Sequence, residues 1–98
     1  KYEMNFEQIY DLVAMRIIVE SVEDCYKAMG IIHGIWKPLP GRIKDYIALP
    51  KPNGYQSIHT TVFCEGKRIT EFQVRTEQMD EEARHGIAAQ WAYAEAKG

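Results

Sequence analysis

Ninety-eight residues with 46% hydrophobic and 27% charged side chains give an ordinary globular composition, enough for one domain or part of one. No apolar run approaches ~18 residues, which excludes a membrane-spanning helix, and the formal net charge of −2 argues against the broad basic face of a long-polyanion binder. Two cysteines and three histidines without CxxC or HExxH spacing carry no zinc signature; Cys25 and Cys64 are expected to be buried and reduced, and the location cytoplasmic.

The chain opens on KYEMNF, without an initiator Met or a secretory segment, so a longer parent polypeptide is expected. The first ten residues read as a short, partly helical entry with Phe6, Ile9 and Tyr10 apolar. Leu12 to Val19, LVAMRIIV, is apolar on both faces apart from Arg16, the pattern of a central strand covered on two sides. Ser21 then opens a helix: SVED resembles a capping box, and Cys25, Met29, Ile32 and Trp36 form one apolar stripe. Pro38 disfavours a helical Lys37, so the helix is expected to stop between Gly34 and Trp36.

Pro38 to Pro52 reads as largely loop, with a short strand at Asp45–Leu49 and Tyr46 in the core, and Asn53-Gly54 is a tight-turn pair. Ser57–Cys64 and Arg68–Arg75 are two strands of a hairpin turning at Glu65-Gly66-Lys67. Alternation puts Phe72 and Val74 on one face and Glu71, Gln73 and Arg75 on the other. That second face fits a solvated sheet surface and a ligand site equally well. Thr76 to about Ala96 is the last helix, with Met79, Ala83, Ile87 and Trp91 as its buried stripe. Glu77, Asp80, Glu81 and Glu82 occupy its first turns, a solvated face favoured by the helix dipole, and His85 is read as a surface residue.

The segment RIKDYIALPKPNGYQSIHT, Arg42 to Thr60, packs diverse donors around two prolines and a turn. Burying such groups unpaired costs on the order of 1–3 kcal/mol each, so an anionic ligand with a flat ring, a nucleotide, is the natural explanation. From Lys37 to Lys51 four cations face one anion, whereas Glu77 to Glu82 holds four anions and no cation. Arg42, Lys44 and Lys51 suit phosphates, Tyr55 can stack on a base, Asn53 can read a base edge, and His59 can donate to a phosphate or ribose oxygen. Phosphoryl-type transfer needs a divalent cation, and Mg²⁺ takes one or two carboxylates plus phosphates and waters. Asp11, at the mouth of the first strand, and Glu71, on the polar face of the hairpin, would share one site if their strands are neighbours. Neither a Walker A loop nor GxGxxG is present, which argues against a P-loop or Rossmann fold.

DLVAMRIIV, RIKDYIALPKPNGYQSIHT, EFQVRT and the tail GIAAQWAYAE together closely resemble the synthetase domain of RelA/SpoT-type (p)ppGpp synthetases, from about Ile9 to Glu95. The resemblance implies an α+β, nucleotidyltransferase-like mixed sheet flanked by helices. It implies transfer of pyrophosphate from ATP to the 3′-hydroxyl of GDP or GTP, making (p)ppGpp in the stringent response with Mg²⁺ as cofactor. Asp11 would then be the metal-binding acid. Glu71 would be the second essential acid, binding Mg²⁺ or activating the hydroxyl. Tyr55 would stack on guanine, and Lys44, Lys51, Asn53 and His59 would hold the acceptor nucleotide, with Arg42 and Lys44 forming the RxKD pattern. Gln73 and Arg75, in ExQxRT, would support the site. The family's AAHW histidine is Gln90 here, so no role of that histidine carries over, and the glycine often found in DLxGxR is Ala14.

The family's basic, ATP-gripping helix has no counterpart in the first ten residues. Residues 1–98 are therefore expected to be the C-terminal part of a synthetase domain, inactive or very weak in isolation. Contacts to ribosome or tRNA are expected only through domains outside this chain, and none to membrane. Two other readings are a catalytically inactive guanine-nucleotide-binding regulatory domain, disfavoured by the retention of both acids, and an RNA-contacting module, disfavoured by the few basic residues.

Overall fold

The computed structural model describes residues 11–66 and 68–86. The expected helical entry through Tyr10, and the part of the last helix carrying Ile87, Gln90, Trp91 and Tyr93, lie outside the described residues.

Strand β1 (Asp11–Val19) leads into helix α1 (Val22–Ile35). The entry is set by Ser21, whose Oγ accepts the Asp24 amide at 3.1 Å, and Glu23 and Asp24 sit where the helix dipole favours negative charge. The helix ends at Trp36, in extended conformation, as Pro38 dictates. Ser21→Ala should lower stability by about 1 kcal/mol, read as a shifted urea midpoint at unchanged slope.

Strand β2 (Lys37–Asp45) follows, then a turn-rich segment, then the hairpin of β3 (Ile58–Phe63) and β4 (Arg68–Thr76). Residues 77–86 form a second helix, opened by Thr76, whose Oγ1 accepts the Met79 amide at 3.2 Å. The strands make one mixed sheet in the order β1-β4-β3-β2, with β1 parallel to β4 and the other pairings antiparallel.

Three expectations about these elements change. The strand expected at Asp45–Leu49 is instead β2, ending at Asp45, with a turn through 46–49. Pro38 and Pro40 argue against an interior strand, but among the described strands β2 is an outer one, where missing N–H donors are tolerated. Between its pairings Pro38↔Val62 and Ile43↔Thr60 the register shifts at a bulge, where Gly41 takes a positive φ of 75°. Second, β1 is the other outer strand among the described residues, not a central one covered on both faces: Leu12 is 57% and Met15 51% exposed. A run apolar on both faces records a demand for cover, not which element meets it. Third, Cys64 is only half-buried, although Cys25 is fully buried and both are free thiols.

One face of the sheet carries the core. Cys25 and Ile32 of α1 pack on Ile58, Val62, Phe72 and Val74, with Met29 alongside and Trp36 stacked on Phe72 at 5.9 Å. The opposite face is what remains for chemistry.

Candidate functional site

On that opposite face the register builds a polar row. Lys44 of β2 is aligned with His59 of β3, His59 with Gln73 of β4, and Gln73 with Arg16 of β1. Glu71 is one row away, aligned with Thr61 and Ala14. Directly opposed residues of neighbouring strands share a face, so these side chains converge.

Local turn chemistry brings Tyr55 to the row. The Lys51 carbonyl accepts the Gly54 amide at 2.8 Å, Asn53 Oδ1 accepts the Tyr55 amide at 3.0 Å, and Gly54 has a positive φ of 88°. Asn53, expected at a base edge, thus has its side-chain oxygen engaged in an Asx turn that aims Tyr55. Upstream, Asp45 organises the other turn: its carboxylate accepts the amides of Ile47 and Ala48 and the Tyr26 hydroxyl. Burial works against the Asp45 carboxylate, but those three hydrogen bonds outweigh it and hold its pKa below the usual range.

The side chains form a chain of hydrogen bonds. Arg75, 6% exposed, donates from one terminal nitrogen to the Tyr55 hydroxyl at 2.9 Å, Gln73 Oε1 at 3.2 Å and Ser57 Oγ at 3.5 Å. The Tyr55 hydroxyl lies 2.8 Å from His59 Nε2. Gln73 donates to Glu71 Oε1 at 3.4 Å, and His59 Nδ1 lies 3.7 Å from Glu71 Oε2. Behind Arg75 stands Asp80, 7% exposed, whose Oδ1 accepts from Arg75 Nε and Nη2, both at 3.0 Å. Arg16 and Arg84 approach the same carboxylate at 3.6 Å.

The protonation states follow. Burial pushes His59 below its ordinary pKa; Arg75 and Lys51 act in the same direction, and Glu71 opposes them. His59 is therefore neutral near pH 7. Burial opposes ionisation of Asp80, but the Arg75 hydrogen bond and the charges of Arg16, Arg75 and Arg84 hold its carboxyl below the usual range.

Around Tyr55 the rings and cations cluster. His59 meets the Tyr46 ring edge-on at 5.3 Å and the Tyr55 ring at 5.6 Å, and Lys51 Nζ sits 5.1 Å from the Tyr46 centroid. Tyr46, expected in the core, is half-buried in this cluster instead, because the turn after Asp45 carries it across the end of β3. A cavity of about 410 Å³ opens beside Tyr55, lined by Lys51, Asn53, Gln73, Arg75 and Arg84. A larger hollow of about 920 Å³ lies at the ends of β1 and β4, but Glu20, Glu77 and Glu82 line it with no cation among its lining residues. That charge balance disfavours an anionic ligand.

Tyr55, His59, Glu71, Gln73 and Arg75 are thus one connected group, with Lys51 and Asn53 at its rim and Lys44 in register with His59. Arg42 is exposed on β2, two residues before Lys44. Asp11 and Glu71 are on neighbouring strands, as a shared site requires, but not side by side: Asp11 is aligned with Arg68 and Glu71 with Ala14. The offset of three positions is roughly 10 Å along the strand and, being odd, gives Asp11 a register position on the other face of the sheet from Glu71. Asp80 corrects the expectation of a uniformly solvated acidic helix face, and Arg16 joins the group through it. The signal for Asp80 lay in its spacing from the ExQxRT arginine, five residues earlier, but only the turn of the chain at Thr76 folds it back. Among the described residues no group of three or more His, Cys, Asp or Glu could hold a metal.

Comparison with known proteins agrees with this architecture. The sequence model of the "Region found in RelA / SpoT proteins" matches residues 1–98. The chain is 57% identical over 93 residues to a probable guanosine-3′,5′-bis(diphosphate) 3′-pyrophosphohydrolase of Synechocystis, covering 95% of this chain and 12% of that protein. It is 48% identical over 95 residues to the GTP pyrophosphokinase of Escherichia coli, covering 97% of this chain and 13% of the relative. The crystal structure of small alarmone synthetase 2 from Bacillus subtilis superposes with a TM-score of 0.70 at 28% identity, over 94% of this chain and 53% of that one. Small alarmone synthetase 1 of the same organism, in a structure bound to its product pppGpp, shares the fold with a TM-score of 0.66 at 24% identity, over 81% of this chain and 44% of that one. The chain spans about an eighth of the length of these two curated relatives. With one family region matched along its whole length and the alarmone-synthetase sheet in place, the chain belongs to the RelA/SpoT family.

Proposed function

We propose that this chain supplies the acceptor-nucleotide side of a site that transfers pyrophosphate from ATP to the 3′-hydroxyl of GDP or GTP. The observation that carries the reading is the connected group Arg75–Tyr55–His59–Glu71: Tyr55, Arg75 and Lys51 line one cavity, and Glu71 joins them through His59 and Gln73. The names of the relatives and the fold shared with a pppGpp-bound synthetase support it.

In this reading the Tyr55 ring stacks on guanine, and Lys51, Lys44 and Arg42 neutralise phosphate oxygens. His59 donates to a phosphate or ribose oxygen. Glu71 takes the proton of the 3′-hydroxyl as that oxygen attacks the β-phosphorus of ATP; the bond to the α-phosphate oxygen breaks and AMP leaves. Mg²⁺ takes one or two carboxylates and fills the rest of its shell from phosphates and water. Glu71 would hold it, and when bound it would neutralise charge on the phosphate oxygens; Asp11, at the start of the neighbouring strand, is the second acid whose part the Asp11→Asn change tests. The ATP-gripping residues are assigned to sequence outside this chain.

The test is incubation of the full-length protein with Mg²⁺, labelled ATP and GDP or GTP. Labelled (p)ppGpp is the expected product; nucleotide binding with no product would favour a regulatory domain instead.

A further inference from the structure

Behind the contact between Tyr55 and His59 stands the buried ion pair of Arg75 and Asp80. A guanidinium donates and cannot accept, so the contact from Arg75 at 2.9 Å makes the Tyr55 oxygen an acceptor. The Tyr55 hydrogen must then point elsewhere, and His59 Nε2 stands at 2.8 Å. To accept it, Nε2 must be bare, which leaves the imidazole proton on Nδ1, on the side of Glu71. Arg75 can play this part only while its own position is fixed. Asp80 fixes it with two contacts at 3.0 Å, while Gln73 and Ser57 occupy the remaining reach of the guanidinium.

We propose that Asp80 and Arg75 are positioning residues: their ion pair locks Tyr55 as a donor to His59 and thereby selects the Nδ1–H tautomer of His59. The groups facing His59 are Glu71 and Arg75 from β4, Lys44 in register on β2, and Lys51, Tyr46 and Tyr55 from the intervening segment. None of the others stands as an alternative donor at hydrogen-bond distance to Nε2 in the structure. The consequence for turnover rests on the acceptor-site reading; the lock itself does not. With the ring and imidazole preset, the guanosine ligand meets a surface that needs no rearrangement, a gain in preorganisation.

The experiment is nitrogen NMR of the His59 ring in the protein free of nucleotide, at mildly alkaline pH, where bare and protonated ring nitrogens are distinguished by chemical shift. Wild type should show Nδ1 protonated and Nε2 bare. Tyr55→Phe, which removes one hydroxyl and disturbs packing least, should shift the population toward Nε2–H. Arg75→Lys keeps a charge without the fork and should do the same, and Asp80→Asn should do so in part, with Asp80→Glu restoring the wild-type spectrum. A wild-type spectrum with Nε2 protonated, or one unchanged by Tyr55→Phe, would overturn the lock. In steady-state kinetics of the full-length protein, Asp80→Asn should raise KM for the guanosine nucleotide about tenfold and leave KM for ATP unchanged. A shifted tautomer with an unmoved guanosine KM would keep the lock and overturn its role at an acceptor site.

Discussion

Glu71→Gln is expected to abolish pyrophosphate transfer in the full-length protein while leaving the fold and guanosine-nucleotide binding in place. Glu71 is half-buried on β4, and its partners are the Gln73 amide at 3.4 Å and His59 Nδ1 at 3.7 Å, neither a core contact. A glutamine preserves shape and can still accept from Gln73, so the stability change should be within about 1 kcal/mol. It cannot take a proton from a ribose hydroxyl. Loss of a positioned general base lowers rates by about 10²–10⁴-fold, and further loss is expected if Glu71 also holds Mg²⁺. Turnover followed as labelled (p)ppGpp, with a urea melt as the folding control, decides it. Near-normal turnover would remove Glu71 from the chemistry. The companion change Asp11→Asn tests whether the acid offset by three residues on the neighbouring strand belongs to the same site.

Asp80→Ala should be the most destabilising single change on the polar face. It strands the Arg75 guanidinium, nine-tenths buried, without its carboxylate. Breaking a buried pair from one side costs about 3–5 kcal/mol, and the lower end is expected because Tyr55, Gln73 and Ser57 still accept from Arg75. Removing both charges with Arg75→Met and Asp80→Leu should recover much of that stability while leaving Tyr55 without its donor. The sign with pH is set by the depressed pKa of Asp80. Its contribution is present above the unfolded carboxylate value of about 3.9 and is lost as pH falls through the lower folded value. Wild type should therefore lose stability on acidification through that window, and Asp80→Asn should show a shallower slope there. Urea midpoints collected across the acid range measure both effects; parallel slopes would remove Asp80 from the acid response.

Much of the scaffold is legible in the sequence. Ser21 and Pro38 bracket α1 because capping and the restriction before proline act within a few residues. The β3–β4 hairpin followed from two strand-like runs joined around Glu65-Gly66-Lys67, and Gly66 takes the positive φ of 71° that its turn needs. The polar face of β4 was legible too, but whether it met solvent or a ligand was not, since alternation names faces and not what covers them. Strand β2 was hidden because two prolines argue against a strand unless it lies at an edge, and position within a sheet is a long-range fact.

The residue types of this protein, and the long motif from Arg42 to Thr60, were enough to indicate its family and the chemistry its loops suit, because turns, caps and periodicity are written within a few residues of where they act. Which groups touch was decided by pairing between distant strands. That pairing set Lys44 beside His59 and His59 beside Gln73 and moved Tyr46 from the core to the aromatic cluster, while the turn of the chain at Thr76 folded Asp80 back onto Arg75 and made a buried partner of an acid expected in solvent. Burial and register arise only when segments far apart in the chain come together, and they determine which polar groups lose water and must find each other.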